Sequence, residues 1–207
     1  MRFFLLVYAY LYCMHRTRVL WMIPWIGLIL VTACKKEKQI DPAAGNATDT
    51  TLFTIKKGNH FCDQTRVKSV TTSQMNFVVR FNETAIYTTL DPINQTDINK
   101  LWGFSEGSDH QFNSARIGWA YHTGALRLYA YTYANGVRSY QELSTIALNT
   151  LIPCSIALEG STYRITANGQ TVSLPRGLST PQASGYQLFP FFGGDETAPQ
   201  DITLYIK

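Results

Sequence analysis

The pattern of apolar and polar positions changes along the chain, and beyond about residue 52 it is a pattern of strands. No stretch there repeats apolar residues every 3.6 positions, as an amphipathic helix would. Short runs rich in β-branched and aromatic residues recur instead, separated by turn signals such as Asn135-Gly136 and Asn168-Gly169. Many short strands at regular spacing predict an all-β fold, an antiparallel β-sandwich of the jelly-roll type.

Nine runs carry this strand pattern. They are MNFVVRF (75–81), ARIGWAYH (115–122), LRLYAYTY (126–133), YQELSTIAL (140–148), CSIALEG (154–160), TYRITA (162–167), QTVSLP (170–175), YQLFPFF (186–192) and DITLYIK (201–207). The segment PINQTDINKLWG (92–103) has a different character and is compatible with a short helix.

Two adjoining hairpins can be placed residue by residue. A two-residue turn at Thr123-Gly124 sets Trp119 opposite Leu128, and the turn at Asn135-Gly136 sets Tyr131 opposite Tyr140. Sliding the register by one residue would bring arginines into the core, so this register is favoured. The face predicted to join the core carries Ile117, Trp119, Tyr121, Leu126, Leu128 and Ala130.

The opposite face of the same strands combines tyrosines with arginines. An open row of amphipathic rings beside charged groups can hold a polar, ring-shaped ligand, and the small residues Gly118 and Ala120 suggest a shallow groove beside them. We therefore predict a ligand-binding site made of Arg116, Arg127, Tyr129, Tyr131, Tyr133, Arg138 and Tyr140. The alternative is that tyrosine pairs stabilise the sheet without a ligand, or that loops fold over them.

The beginning of the chain carries a targeting signal. The apolar run VLWMIPWIGLILVTAC ends in small residues and Cys34, and it resembles the lipobox of bacterial lipoproteins. The resemblance implies a signal peptide over residues 1–33, a lipidated Cys34 that begins the mature chain, and a flexible tether to residue 51. One β-sandwich domain then covers 52–207. A plain transmembrane anchor is the alternative for the apolar run.

The leader also bears on the start of translation and on charge. The basic residues of MHRTR (14–18) suit the beginning of a signal peptide, so we hypothesise that Met14 is the true initiator. Of 18 Lys and Arg residues, three lie in the leader, which leaves 15 against 14 acidic residues, a net charge of +1. This balance does not support nucleic-acid binding.

The lipid would hold the protein at a bacterial cell envelope, with the outer membrane as the expected site.

Two cysteines remain in the predicted domain. An exported domain is a setting in which Cys62 and Cys154 could form a disulfide; the alternative is that Cys154, within an apolar run, is a buried free thiol.

Three acidic residues near the C-terminus raise the question of a metal. Asp195, Glu196 and Asp201 lie close in sequence beside two glycines, a composition suited to Ca²⁺, whereas a solvated turn is the simpler interpretation. In the segment 105–112, Glu106, Asp109 and His110 match no metal-binding spacing. No other cofactor is expected.

The predicted domain resembles the concanavalin A-like lectin and glucanase group of jelly rolls, in the ending YQLFPFFGGDETAPQDITLYIK and the hairpin YRITANGQTVSL. The resemblance implies glycan recognition at an aromatic, polar face. Glucanases of this group carry an E-x-D-x-x-E strand, which this sequence lacks, so glycoside hydrolysis is not expected. The whole chain is also similar to uncharacterised surface lipoproteins of Gram-negative bacteria, which implies a location but no activity.

Three functions follow as hypotheses. The leading one is a non-catalytic, glycan-binding lipoprotein; the second is a structural lipoprotein whose tyrosine face meets an envelope protein. A polysaccharide lyase is the third, because Arg116, Arg127, Tyr129, Tyr131 and His122 supply residue types that neutralise a uronate and transfer protons. However, the signature strands of alginate-lyase jelly rolls are missing, and His122 at its turn has the pattern of an ordinary exposed residue.

The sequence contains no G-x-S-x-G, P-loop, H-E-x-x-H or C-x-x-C motif.

Overall fold

A computed structural model describes residues 50–207, and its regular structure is almost entirely β. This part of the chain forms twelve strands and two short 3₁₀ helices, at Glu83–Ala85 and Pro92–Thr96. The strands are β1 (Thr51–Ile55), β2 (Ser69–Thr72), β3 (Gln74–Phe81), β4 (Asn99–Ser105), β5 (Ser114–His122), β6 (Ala125–Ala134), β7 (Val137–Ile146), β8 (Ile152–Glu159), β9 (Thr162–Ala167), β10 (Gln170–Pro175), β11 (Ala183–Leu188) and β12 (Ile202–Ile206).

The strands form two six-stranded sheets that pack face to face. Sheet 1 has the order β1-β12-β3-β8-β9-β10 and sheet 2 the order β2-β11-β4-β5-β6-β7, and their strand pairs are antiparallel. Phe81 of sheet 1 meets Trp119 of sheet 2 with ring centroids 5.5 Å apart, and both side chains are fully buried. Alternation of inward apolar and outward polar residues on both sheets produces this core. The predicted all-β antiparallel sandwich is confirmed.

The predicted hairpin registers are also confirmed. Trp119 lies opposite Leu128 on β5 and β6, and Tyr131 lies opposite Tyr140 on β6 and β7. The turns Thr123-Gly124, Asn135-Gly136 and Asn168-Gly169 place both central residues at positive φ, the conformation that matches the twist of the flanking strands. The six residues of the predicted core face all belong to the core or pack against it.

A β-bulge in β7 falls just beyond the tyrosine pairs. Tyr129 lies opposite Glu142, whereas the preceding Leu128 lies opposite Ser144, so Leu143 is the extra residue. Leu143 turns into the core and is 8% exposed. The bulge therefore changes the register only after the pairs that the sequence predicts.

The segment 92–103 contains the short helix that its sequence allowed, as the 3₁₀ helix Pro92–Thr96, and continues into β4 from Asn99. The Asp91 side chain accepts a hydrogen bond from the Ile93 backbone N–H (3.0 Å), which starts the 3₁₀ helix Pro92–Thr96, and the chain then becomes extended. β4 lies between β11 and β5, where a bulge at Leu101 interrupts its alternation. β4 could not be recognised from its local sequence, because the bulge interrupts its alternation of apolar and polar residues and its partner β11 lies some 80 residues away. β1 and β2 were likewise not predicted.

The proposed disulfide does not form: Cys62 and Cys154 are both buried free thiols. Cys62 bridges to Ile55 at the outer edge of β1, whereas Cys154 lies on β8, with β12 and β3 between them. At about 4.8 Å per strand, the two are far beyond the roughly 7 Å that a disulfide can span.

The signal peptide, Met14, Cys34 and the tether lie outside the described residues, except that β1 begins at Thr51, the last residue assigned to the tether. Within residues 50–207, no helix is long and apolar enough to cross a membrane.

Candidate functional site

The tyrosine row lies on the outer face of sheet 2, where β4, β5, β6 and β7 are side by side. Cross-strand pairing aligns Lys100, Gly118 and Tyr129 in one row, and Arg116, Tyr131 and Tyr140 in the next. The register of three consecutive strands therefore brings cations and aromatic rings from distant parts of the sequence to one place.

This face holds a pocket of about 390 Å³, within the usual range for small-molecule sites. The pocket is lined by Thr96, Asp97, Ile98, Lys100, His122, Tyr129, Tyr131, Arg138, Tyr140 and Gly194. Four of the predicted site residues line it directly. Arg116, Arg127 and Tyr133 belong to the same face but not to the lining.

The tyrosine row is covered and not open, contrary to the shallow groove expected from the sequence. Tyr129 and Tyr131 are only 7% and 4% exposed, whereas Tyr140 is 55% exposed. The space beside Gly118 is filled by Ile98, because a Cβ placed on Gly118 would lie 2.4 Å from the Ile98 Cγ2. The chain that follows the second 3₁₀ helix therefore folds over the row and turns a groove into a pocket.

Lys100 is a pocket residue that the sequence did not predict. Its Nζ lies 5.0 Å from the centroid of the Tyr131 ring and donates a hydrogen bond to the Ile98 carbonyl (2.6 Å). Burial lowers the pKa of Lys100 to about 8, and the positive charge of Arg116 acts in the same direction. Because β4 was not predicted, no sequence signal placed this amine beside the tyrosines.

Arg116 is buried beside the pocket, and no carboxylate of residues 50–207 forms an ion pair with it. Its side chain is directly opposite Tyr131, and Gly103 on β4 leaves room for it, since a Cβ there would lie 2.6 Å from the Arg116 Cβ. The Arg116 Nε and Nη2 have no hydrogen-bond partner among the described residues. Burial lowers the pKa of Arg116 to about 10, so the guanidinium stays charged at neutral pH.

The other two predicted arginines, Arg127 and Arg138, differ in whether their guanidinium groups are available to a ligand. Arg127 is fixed, because its Nη1 donates to Glu142 Oε1 and its Nη2 to Thr123 Oγ1, both at 2.8 Å. Arg138 is exposed at the pocket rim, with its guanidinium carbon 5.8 Å from the Tyr140 ring centroid. Only Arg138 of these two can meet a ligand in the pocket directly.

His122 is not the ordinary exposed residue that its turn position indicated. The ring is half-buried, and His122 Nε2 lies 2.8 Å from the Tyr129 hydroxyl. Burial raises the pKa of Tyr129 to about 12, with a further contribution from Glu142, so the phenol is neutral at physiological pH.

A second His–Tyr pair on sheet 2 was also missed. His110 Nδ1 lies 2.9 Å from the hydroxyl of Tyr186 on β11, and both residues are half-buried. Burial lowers the pKa of His110, and the nearby charge of Arg116 contributes to the same shift. Seventy-six residues separate the two partners, so only the sheet order could have revealed the pair.

The three acidic residues proposed to bind Ca²⁺ do not converge. Glu196 accepts hydrogen bonds from the backbone N–H groups of Leu90 and Asp91 (2.8 and 2.7 Å), and Asp201 forms an ion pair with Lys56 (2.8 Å). Within residues 50–207 no group of three His, Cys, Asp or Glu side chains is placed to hold a metal ion. Glu196 instead fastens the loop that carries the 3₁₀ helix of the pocket wall.

Several solved structures have a similar fold. The alginate lyase AlyC3 matches with a TM-score of 0.51 at 10% identity, over 76% of this chain and 72% of that chain. The marine PL7 alginate lyase AlyA1 from Zobellia galactanivorans matches at 0.45 and 14% identity, over 76% and 62%. A GH16 protein from a Bacteroides ovatus mixed-linkage glucan PUL matches at 0.46 and 10% identity, over 76% and 78%.

No protein-family model matches the sequence, and no curated protein does. At 10% identity the match to AlyC3 shows the fold alone, which is the jelly-roll sandwich predicted from the sequence.

Proposed function

We propose that this protein binds a polysaccharide in the pocket on sheet 2, as a lipid-anchored, non-catalytic component of a bacterial cell envelope. The observation that carries the proposal is the pocket itself, in which Tyr129, Tyr131 and Tyr140 share one concavity with hydrogen-bonding groups. Aromatic rings that present apolar faces next to fixed polar groups suit sugar rings, which are apolar on their faces and polar at their rims. AlyC3, which shares the fold, is named for a polysaccharide substrate.

The geometry indicates weak binding. Tyr129 and Tyr131 are already buried, so Tyr140 is the ring with most area to offer a ligand. Removing ~100 Å² of its apolar surface from water would contribute roughly 2.5 kcal/mol. After the cost of association, a few such contacts correspond to a Kd in the micromolar to millimolar range.

Glycoside hydrolysis is disfavoured by the acids at hand. Among the residues that line the pocket only Asp97 is acidic, and Glu142 on the neighbouring surface is paired with Arg127. A glycosidase needs two carboxyl groups on opposite sides of the scissile bond.

A polysaccharide lyase is the second candidate, and the contact between His122 and Tyr129 favours it. The neutral phenol of Tyr129 lies 2.8 Å from the His122 imidazole, so the phenol can donate a proton to the leaving oxygen while the imidazole accepts a proton from the sugar. Lys100, which lines the same pocket, can offset the negative charge of a uronate carboxylate. Incubation with uronic-acid polymers, followed by ultraviolet absorbance of unsaturated ends, tests this activity. Absorbance that grows with the native protein but not with His122→Ala would establish it.

Affinity electrophoresis tests the binding proposal. The purified protein is run through gels that contain a panel of polysaccharides, beside Tyr140→Ala and the control Tyr205→Ala, which removes a ring from the outer face of sheet 1. We expect one glycan to retard the native protein and the control but not Tyr140→Ala. Retardation by no glycan would contradict the proposal and would direct attention to an envelope protein as the partner.

A further inference from the structure

We propose that the ligand of this pocket is acidic, a glycan whose carboxylate or sulfate group sits between Lys100 and Arg138 above Tyr131, with Arg116 as a buried positive charge behind that ring. The proposal rests on the glycan-binding function above and names the chemical class of its ligand. It follows from how the positive charges on sheet 2 are paired.

Positive charge on this face is not balanced by acids. None of the ion pairs that the structure describes within residues 50–207 contains Lys100, Arg116 or Arg138. Their only acidic neighbour in the pocket lining is Asp97. Three cations against one carboxylate leave the pocket with a positive potential that favours an anion.

The chain shows elsewhere how it neutralises a buried arginine. Arg176 is 4% exposed, and its Nε and Nη2 each donate to one oxygen of Glu106 at 2.7 Å. Arg116 is 5% exposed, yet the same two nitrogens have no partner among the described residues. A buried guanidinium without a counter-ion costs stability, and an acidic ligand nearby would offset part of that cost.

The positive charges of Lys100 and Arg116 also repel each other. Both side chains are withdrawn from water, and each lies on the same face of neighbouring strands, so their repulsion is screened less than at an open surface. Burial is the main cause of the depressed pKa of Lys100; the charges of Arg116 and Arg138 act in the same direction, and Asp97 opposes them. An anion placed against Lys100 would offset the cost of burying its charge and the repulsion from the two arginines.

The pocket also provides a place for that anion. Lys100 Nζ stands above Tyr131, and Arg138 approaches the same ring from β7, where attraction to the Tyr131 hydroxyl raises the pKa of this arginine. A ligand ring resting on Tyr140 would carry its charged substituent towards these two cations. The Nε and Nη2 of Arg116 are closed off from solvent, so its charge adds to the positive potential of this face without being neutralised by water at those two atoms.

Pairs of polymers that differ mainly in their charged groups distinguish the effect of charge from that of the sugar backbone. Affinity gels contain either dextran or dextran sulfate, and either methyl-esterified pectin or the de-esterified polymer. The native protein is compared with Lys100→Met, with Lys100→Arg, and with the control Arg80→Met, which removes one positive charge from the outer face of sheet 1. Thermal unfolding of each variant establishes that it is folded.

We expect retardation by at least one acidic polymer and not by its neutral counterpart. Lys100→Met should weaken it about tenfold, the loss of one charge contact worth about 1.4 kcal/mol, while Lys100→Arg and Arg80→Met should retain it. A carboxylate and a sulfate are distinguished by which pair responds.

Three results would overturn the inference. If the charged and neutral polymers of a pair retarded the protein equally, or if only neutral polymers retarded it, the protein would still bind a glycan but the glycan would not need to be acidic. Equal weakening by Lys100→Met and Arg80→Met would show diffuse polyelectrolyte attraction. Retardation by none of the four polymers would overturn this inference, whereas the proposed function fails only if no polysaccharide of the wider panel retards the protein.

Discussion

Arg176 and Glu106 form a two-pronged ion pair inside the sandwich, with Nε and Nη2 of the arginine each 2.7 Å from a carboxylate oxygen. Both side chains are essentially closed to solvent, and the Tyr163 hydroxyl donates to the same carboxylate. Glu106 follows β4 of sheet 2, and Arg176 follows β10 of sheet 1. The pair therefore fastens the two sheets to each other.

Breaking this pair should be costly. Glu106→Gln leaves the Arg176 charge buried without a counter-ion, and we expect the free energy of unfolding to fall by about 3 kcal/mol or more. Urea denaturation measures the change. The matched control is Glu159→Gln, which breaks the exposed pair with Arg164 and should cost less than about 1 kcal/mol. Similar losses in the two variants would contradict the structural role given to Glu106.

Lys100 should reduce stability at neutral pH. Its pKa in the folded protein, about 8, lies below the ordinary value of 10.5, so the unfolded chain binds more protons between these values. The cost of folding is therefore fully present below about pH 8 and declines as the pH rises towards 10.5. We expect Lys100→Met to raise the free energy of unfolding by about 2 kcal/mol at pH 7, after allowing for the lost hydrogen bond.

Urea denaturation at several pH values checks this expectation. The gain from Lys100→Met should shrink between pH 8 and pH 10, whereas the exposed control Lys68→Met should show a small effect that does not change with pH. A destabilised Lys100→Met at pH 7 would mean that its contact with Ile98 outweighs the cost of burial.

Gly118 should matter to the pocket although it has no side chain. Valine suits a β-strand, but its Cβ would lie 2.4 Å from the Ile98 Cγ2 and 2.8 Å from the Asn99 carbonyl oxygen. We expect Gly118→Val to lower the free energy of unfolding by about 1–3 kcal/mol and to push the covering segment outwards. Thermal unfolding and polysaccharide retardation report these two effects. An unchanged melting temperature would show that the cover yields freely.

The two cysteines should be present as thiols that react slowly. Burial raises the pKa of Cys154 to about 12 and also raises that of Cys62, so little thiolate forms at neutral pH. Brief treatment of the native protein with iodoacetamide should leave both unmodified, and treatment in denaturant should modify both. Peptide mapping by mass spectrometry distinguishes them. A disulfide-linked peptide containing Cys62 and Cys154 would contradict the structure.

Much of the fold could be predicted because its signals are local. In β5, β6 and β7, alternation and Asn-Gly or Thr-Gly turns determine both the strands and their register. β4 could not be predicted, because its partner β11 lies some 80 residues further along the chain and a bulge at Leu101 interrupts its alternation.

The site was predicted only as far as it depends on the hairpins. The register placed Tyr129, Tyr131 and Tyr140 on one face, but burial of that face depends on Ile98, which directly precedes the unpredicted strand β4. Lys100 was missed for the same reason. His122 has an ordinary turn sequence, and its contact with Tyr129 follows only from the placement of both side chains.

The bulge at Leu143 has a consequence for self-association. β7 is an outer strand of sheet 2, ten residues long, and a strand of that kind offers unpaired backbone groups to a neighbouring molecule. The extra residue interrupts the regular spacing of those groups, so an incoming strand aligned with one half of β7 is out of step with the other. The irregularity that leaves the tyrosine pairs intact also makes this edge a poor template for aggregation.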